Sequence, residues 1–256
     1  MKELLLLPLG LLIGTVSSMV GLGGGVFYVP LLVLVFGLPM QKAIGVSVLT
    51  MTFTTITATI AYAREGRINY KIGLLLDVLD IPGVILGAYM TTFIDSRFLA
   101  VIFGFLLIVI SIRILKKSGA PAKANAVYEA SELTGRVVCL VLVTSFSSGF
   151  VAGLLGAGGG TIDESVMLLA LNMPITVASA TSIFGMMITN CAAAISHITL
   201  GNIAPKYAAP LVVGGTLGAK LGPYFSKRCR EDVLKKFLSF TFMVIAVRMI
   251  STPLIL

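Results

Sequence analysis

Tryptophan is missing from this sequence of 256 residues, histidine occurs once (His197), and cysteine three times. Charge is scarce too. Asp, Glu, Lys and Arg make up 12% of the chain, against roughly a quarter in a soluble domain. A lone histidine removes most His-based metal and nucleophile chemistry. Cys139, Cys191 and Cys229 are scattered, with no spacing that suggests a metal site or a disulfide framework. So few charged groups argue against a soluble enzyme. What is abundant is apolar: 57% of residues, with a mean hydropathy of +1.03.

The apolar residues come in long uncharged runs. Residues 4–41, 43–63, 137–162 and 165–205 contain no Lys, Arg, Asp or Glu. A membrane-spanning helix needs about 20 predominantly apolar residues, and these runs supply several. A transmembrane barrel would instead alternate apolar and polar residues in segments of about 10. The sequence therefore predicts an all-α polytopic membrane protein. The net charge of +8 resides in short loops between apolar segments, where it sets orientation. It does not form a nucleic-acid footprint.

The chain is duplicated. Gly-Leu-Gly-Gly-Gly at 21–25 returns as Gly-Ala-Gly-Gly-Gly at 156–160, an offset of 135 positions. The same offset pairs Gly14 with Gly149, Pro39 with Pro174, Ser47 with Ser182, Met51 with Met186 and Thr54 with Thr189. After a four-residue deletion in the second copy, Gly83 and Gly87 match Gly214 and Gly218, and Leu99 and Arg113 then match Leu234 and Arg248 at the original offset. The reading divides the chain into a first membrane repeat (1–115), a polar cytoplasmic linker (116–133) and a second membrane repeat (134–256).

Each copy opens with an apolar arm (about 4–20; 136–155), a glycine knot and a short arm (26–37; 161–172). Three longer segments follow, at about 40–63, 72–94 and 98–115, with counterparts at 174–197, 207–226 and 233–253. A short arm of 12 residues reaches roughly 18 Å, too little for a hydrocarbon core of about 30 Å. A hairpin turning back at the glycines fits better. Residues 1–18 resemble a signal peptide in having Lys2 before an apolar run, but the equivalent arm deep inside the chain marks them as mature structure.

Loops 64–71, 113–136 and 227–236 carry thirteen Lys and Arg, against four (Lys2, Lys42, Arg97 and Lys206) at the N-terminus and in the alternating loops. The positive-inside rule puts the first set in the cytoplasm and both termini outside the cell membrane. Each hairpin must then return to the side it entered from, leaving three net crossings per copy. Two inverted repeats result, each a glycine-broken helical hairpin plus three transmembrane helices. Broken helices at corresponding positions of inverted repeats are a signature of secondary transporters.

Five residues with four glycines do not continue a helix, and an opened backbone in hydrocarbon survives only where it lines a cavity or binds something. The short arms start directly after the knots, so their backbone NH groups point into the membrane interior, where a helix N-terminus favours an anion. This makes Gly23, Gly24, Gly25, Gly158, Gly159, Gly160 and Thr161 candidate substrate-binding residues. The alternative is that the glycines serve close helix packing. The second set is Ala-Ile-Gly-Val-Ser (43–47) and Ala-Ser-Ala-Thr-Ser (178–182), each in a helix started by a proline. Ser47, Thr50, Thr181, Ser182 and Asn190 offer hydroxyls and an amide to oxyanion oxygens. The competing role is back-bonding to the preceding turn or joining helices.

The order Gly-x-Gly-Gly-Gly, Val-Pro-Leu-Leu (29–32), Pro39, Ala-x-Gly-x-Ser (43–47), all duplicated, resembles the sulfite exporter TauE/SafE family over nearly the whole chain. The resemblance implies transport of sulfur-containing anions such as sulfite or sulfonates across the inner membrane. Val46 stands where Thr is common before the serine, while Thr181 keeps it in the second copy. After the second knot, Thr-Ile-Asp-Glu-Ser (161–165) replaces an apolar stretch ending in proline.

Four acids lie within apolar segments. Asp77 and Asp80 are three apart, on one face of the helix expected over 72–94. Asp163 and Glu164 fall in the first turn of the second short arm. Intramembrane carboxylates mark ion or proton paths by default, so these four are the candidate coupling residues. Snorkelling of the first pair, or dipole stabilisation by the second, is the plainer alternative. His197 is expected at the interface, and Arg113 and Arg248 as anchors at helix ends.

The leading expectation is a secondary transporter for a small anion of the sulfite or organosulfonate class, with protons as the candidate coupling ion. An anion channel of the same architecture is the alternative. An intramembrane hydrolase using Ser182 and His197 fails on geometry, since 15 residues span about 22 Å of helix. A non-transporting subunit is opposed by the paired broken helices. Neither cofactor nor metal is called for. The partners are the anion and the lipid bilayer, with no nucleic acid and no oligomeric state specified.

Overall fold

The computed structural model describes residues 2–77, 79–116, 135–169, 171, 173–226 and 231–255. The linker 116–133 lies outside the described residues but for its first position. Every element is helical: α1 (Leu6–Val20), α2 (Gly25–Pro30), α3 (Met40–Arg64), α4 (Tyr70–Asp77), α5 (Asp80–Met90), α6 (Ser96–Lys116), α7 (Gly135–Leu155), α8 (Gly160–Leu169), α9 (Ile175–Thr199), α10 (Pro205–Ser226) and α11 (Glu231–Ile255). A single 3₁₀ turn precedes α1, and α2 runs on as a wider turn over Leu31–Val35. Among the described residues, four helices are long and apolar enough to cross a membrane, or five if α4 and α5 count as one bent span. Large apolar side chains such as Phe98, Phe105 and Ile195 on these helices, and Phe240 and Val247 on α11, are exposed, as a lipid-facing surface requires.

Local chemistry sets the boundaries. α1 stops where Gly21 takes the left-handed conformation (φ 83°) and returns its N–H to the Ser17 carbonyl at 3.0 Å, a glycine C-cap. Pro39 and Pro174 hold the extended backbone (ψ 144° and 137°) from which α3 and α9 start. The largest departure from expectation is in 72–94. The predicted single helix is two, α4 and α5, meeting at a bend of 42°. Asp77 and Asp80 therefore end one helix and begin the next, where the sequence placed them on one continuous face.

The packing interlocks the two copies. α1 packs along α10, and α7 along α5; α3 crosses α9, and α6 crosses α11. Exchanging each helix for its repeat counterpart returns the same set of pairs. α1 and α10 are parallel: Leu7 meets Gly214, Leu11 meets Gly218, and Thr15 meets Gly222. α7 and α5 are parallel in the same way, with Phe146 against Gly83 and Phe150 against Gly87. The counterparts α3 and α9 are antiparallel, because Thr52 Oγ1 donates to the Asn190 carbonyl (3.0 Å) and Thr59 Oγ1 to that of Ile183 (3.4 Å). α6 and α11 are antiparallel too: Ser111 bonds Ser239 (2.7 Å), and Gly104 faces Ile250.

Glycine lets the parallel pairs approach. A Cβ on Gly214 would overlap the Leu7 carbonyl, and one on Gly218 that of Leu11. In lipid, such small-residue seams supply the close van der Waals contact that drives helix association. Both neighbours are backbone atoms and cannot swing aside. Gly214→Ala is therefore expected to force α1 off α10 and destabilise the fold by about 1–3 kcal/mol, read as a lower thermal unfolding midpoint of the purified protein.

Candidate functional site

The two glycine knots meet. Gly23 and Gly24 have φ 72° and 101°, and Gly156 and Gly158 have φ 63° and 81°, all in the region that L side chains rarely adopt. Gly25 lies so close to Gly156 and Ala157 that a Cβ there would overlap the Gly156 carbonyl. The first turns that follow the knots are short: Phe27 N–H bonds the Gly24 carbonyl at 2.9 Å, and Ile162 N–H that of Gly159 at 2.8 Å. The short arms begin at Gly25 and Gly160, as the sequence predicts to within a residue.

Ser47 and Ser182 are buried at these knots. Ser47 Oγ donates to the Gly156 carbonyl (3.0 Å), across to the other copy, and Ser182 Oγ donates to the Gly160 carbonyl (2.9 Å). Both thus supply hydrogen bonds that the broken backbone lacks. Thr50 and Thr181 are not brought to the knots by hydrogen bonding. Thr50 Oγ1 back-bonds to the Val46 carbonyl (2.8 Å), the role the alternative reading gave it. Thr181 Oγ1 accepts the Asn69 N–H (3.0 Å), docking the loop before α4. Asn190 is buried with neither amide atom hydrogen-bonded. It follows Ser182 and Met186 at spacings of eight and four, on one face of α9. The side chain of Thr161 lies outside the described residues.

The acids regroup. Asp77, Asp80 and Asp163 are buried at 4%, 1% and 4% exposure, which rules out the snorkelling alternative. Thr189 Oγ1 lies 3.4 Å from Asp77 Oδ1 and 3.1 Å from Asp80 Oδ2, and Ser145 Oγ donates to Asp80 Oδ1 at 3.0 Å. Ser148 Oγ donates to Asp163 Oδ2 at 2.8 Å. Glu164 departs from the expected pairing with Asp163. One residue further round α8, its carboxylate takes the Ser179 hydroxyl instead. His197 is also not interfacial: it is fully buried, with Nε2 2.9 Å from the Gly153 carbonyl and Nδ1 3.2 Å from Asn202 Nδ2. The close approach of α7 to the end of α9 encloses it. Arg113, Lys220 and Arg248 are exposed.

Two contributors were missed in the sequence. Met51 and Met186 were noted only as a repeat match, yet their sulfurs approach both Gly23 and Gly158, so paired thioethers fill the space beside the knots. Tyr28 is fully buried with no partner for its hydroxyl, and the 135-residue offset makes it the counterpart of Asp163. The offset, applied to every polar residue of the short arms, would have found it.

The two ends of the molecule differ. At one, Lys206 pairs with Glu3 (2.7 Å) and Lys42 Nζ donates to the Gly201 carbonyl. At the other, an open cavity of about 540 Å³ is lined by Gly66, Arg67, Ile68, Asn69, Tyr70, Lys71 and Val177. Arg67 is held there by Glu65 (3.0 Å) and by the face of Tyr62, and Tyr62 donates to the Ser18 carbonyl three residues before the first knot. Among the described residues no group of three or more His, Cys, Asp or Glu is arranged to hold a metal ion. If the serines hold the knots, Ser47→Ala strips the Gly156 carbonyl of its donor. The expected loss is about 1–3 kcal/mol, measured by denaturant unfolding, with Ser47→Thr retaining part of it.

The comparison with known proteins agrees with this architecture. The family model "Sulfite exporter TauE/SafE" matches residues 6–249. The chain is 30% identical to the "Probable membrane transporter protein YunE" of Bacillus subtilis, over 98% of each chain. It is 27% identical to the "Probable membrane transporter protein YdhB" of the same organism, over 90% of this chain and 93% of that one. It is also 27% identical to the "Probable membrane transporter protein ORF9" of a Sinorhizobium species, over 94% and 89%. No solved structure matches. With an all-helical fold, several apolar spans and a family match over nearly its full length, the chain belongs to the TauE/SafE family of multi-pass membrane transporters.

Proposed function

We propose that this protein is a secondary carrier of the cell membrane for a small anion of the sulfite or organosulfonate class, coupled to protons, with its two halves inverted and both termini outside. The observation that carries the reading is the meeting of the two knots, one from each half, with Ser47 and Ser182 both donating to carbonyls of the second, Gly156 and Gly160. Fixing the carbonyls leaves backbone NH groups at the starts of α2 and α8 to face an anion. Asn190, buried with a free amide, supplies a further donor on the Ser182 face of α9. Met51 and Met186 fill the space beside the knots, which favours an occluding carrier over a continuous pore. Arg67 and Lys71 give the cavity at the 64–71 end a positive mouth suited to anion entry. The sulfur chemistry of the substrate rests on the family alone.

Two experiments test this. Gly24→Leu and Gly159→Leu place a side chain where Tyr28 and Ser148 stand. In proteoliposomes, sulfite uptake by each variant is expected to fall by about tenfold or more, with membrane insertion retained. Wild-type uptake by both would reduce the knots to packing devices. For orientation, Ser118→Cys and Thr199→Cys on a cysteine-free background should label oppositely. An impermeant reagent added outside intact cells is expected to reach position 199 and not 118; the reverse pattern would overturn the topology.

A further inference from the structure

Three buried carboxyls from three helices converge without a counter-charge. Asp77 ends α4, Asp80 begins α5, and Asp163 stands in the first turn of α8. Their hydrogen-bond partners carry no charge: the hydroxyls of Thr189 on α9 and of Ser145 and Ser148 on α7, and the Gly149 backbone N–H. The other described titratable side chains on the helices around them are engaged or lie elsewhere. Glu164 holds Ser179, His197 is held by Gly153 and Asn202, Cys191 is half-buried, and Tyr70, Lys71 and Tyr89 are exposed. No ion pair among the described residues reaches the three acids.

Hydrogen counting leaves room for a proton. Thr189 Oγ1 lies between Asp77 Oδ1 and Asp80 Oδ2 but has one hydrogen to give. It donates to one carboxylate, and the second contact is a hydrogen bond only if the other carboxyl is protonated and donates back. Independently, Asp163 Oδ1 and Asp77 Oδ2 are buried with no partner, so each is an open position for a proton. The same acids are not arranged to hold a metal ion.

The repeat-related position around α2 has no such group among the described residues. Tyr28 occupies the position of Asp163, and Thr54, the counterpart of Thr189, donates to the Met51 carbonyl in its own helix (3.0 Å). A phenol remains neutral where a carboxyl would titrate. The deletion that separates the copies leaves Leu211 opposite Asp80. We infer that Asp77 and Asp80 of the first repeat, bridged by Thr189, and Asp163 of the second, held by Ser148, form a single proton-binding site per chain, present at one of the two repeat-related positions and loaded and emptied as the anion moves. This rests on the carrier reading above. Its route to the anion is short: Ser148, which holds Asp163, lies so close to Gly159 that a Cβ there would overlap its hydroxyl.

The test uses the full chain in proteoliposomes holding a lumenal pH dye. The probe is methanesulfonate, a strong-acid anion whose own protonation does not change near neutral pH. Wild type is expected to move protons with methanesulfonate. Asp77→Asn, Asp80→Asn and Asp163→Asn should each lower the protons carried per anion by at least about tenfold, while Asp95→Asn, an exposed acid in the α5–α6 loop, leaves the ratio unchanged. Wild-type ratios in all three variants, or proton-free movement in wild type, would overturn the inference. Labelling of the unmutated protein with an apolar carbodiimide, which attacks protonated buried carboxyls, is read by peptide mass spectrometry and does not depend on variants folding. Modification at Asp77, Asp80 or Asp163 that falls as pH rises supports the site. Absent modification, or protection by sodium at constant pH, refutes it. If neither methanesulfonate nor sulfite binds or moves, the carrier reading fails, while the labelling still decides the proton site.

Discussion

An amide or carbonyl without a partner is unfavourable by several kcal/mol in hydrocarbon, and this family's fold places two open stretches of backbone deep inside its helical bundle. The rest of the structure follows from making that tolerable. The knots sit against each other, with Gly25 on Gly156 and Ala157. Ser47 and Ser182 donate to knot carbonyls, and the long helices α3 and α9 that carry those serines cross in contact with each other. What is left unpaired around them is polar and buried: the Asn190 amide, the Tyr28 hydroxyl, and one oxygen each of Asp77 and Asp163. Native interiors keep few such groups.

The duplication gives the two halves the same scaffold and different chemistry. Glycine seams, proline helix starts, the knot serines and the methionine pair are held in common. Tyr28 against Asp163, and Leu211 against Asp80, are not. The scaffold is thus shared while the titratable groups are gathered on one side, where α5, α7, α8 and α9 come together.

Much of this was legible in the sequence because it is carried by local signals. Uncharged runs give the spans, glycine and proline give the breaks, and the 135-residue offset gives the duplication. Helix limits agree to within two or three residues across most of the chain. What was not legible depends on neighbours far away in sequence. The break between Asp77 and Asp80 did have a local signal, Pro82, which cannot donate to the preceding turn and was passed over; the hydroxyls that hold Asp80 beside it, Thr189 and Ser145, come from other helices. His197 looked interfacial because it ends a helix, and only the approach of Gly153 buries it. Asp163 and Glu164 are adjacent, yet a helix turns successive side chains by 100°, so one reaches Ser148 and the other Ser179. Periodicity alone would have separated them.

The parallel pairing of α1 with α10, and of α5 with α7, bears on how the chain is made. α1 has its main partner in α10, with almost two hundred residues to be synthesised between them. Its glycine face, Gly10 and Gly14 against Gly215, lacks that partner until then. Pairings of such high sequence separation close late and slowly. Assembly is thereby all-or-none: a chain stopped after its first half holds helices whose complementary surfaces have not yet been translated, and quality control in the membrane has a long interval in which to find it.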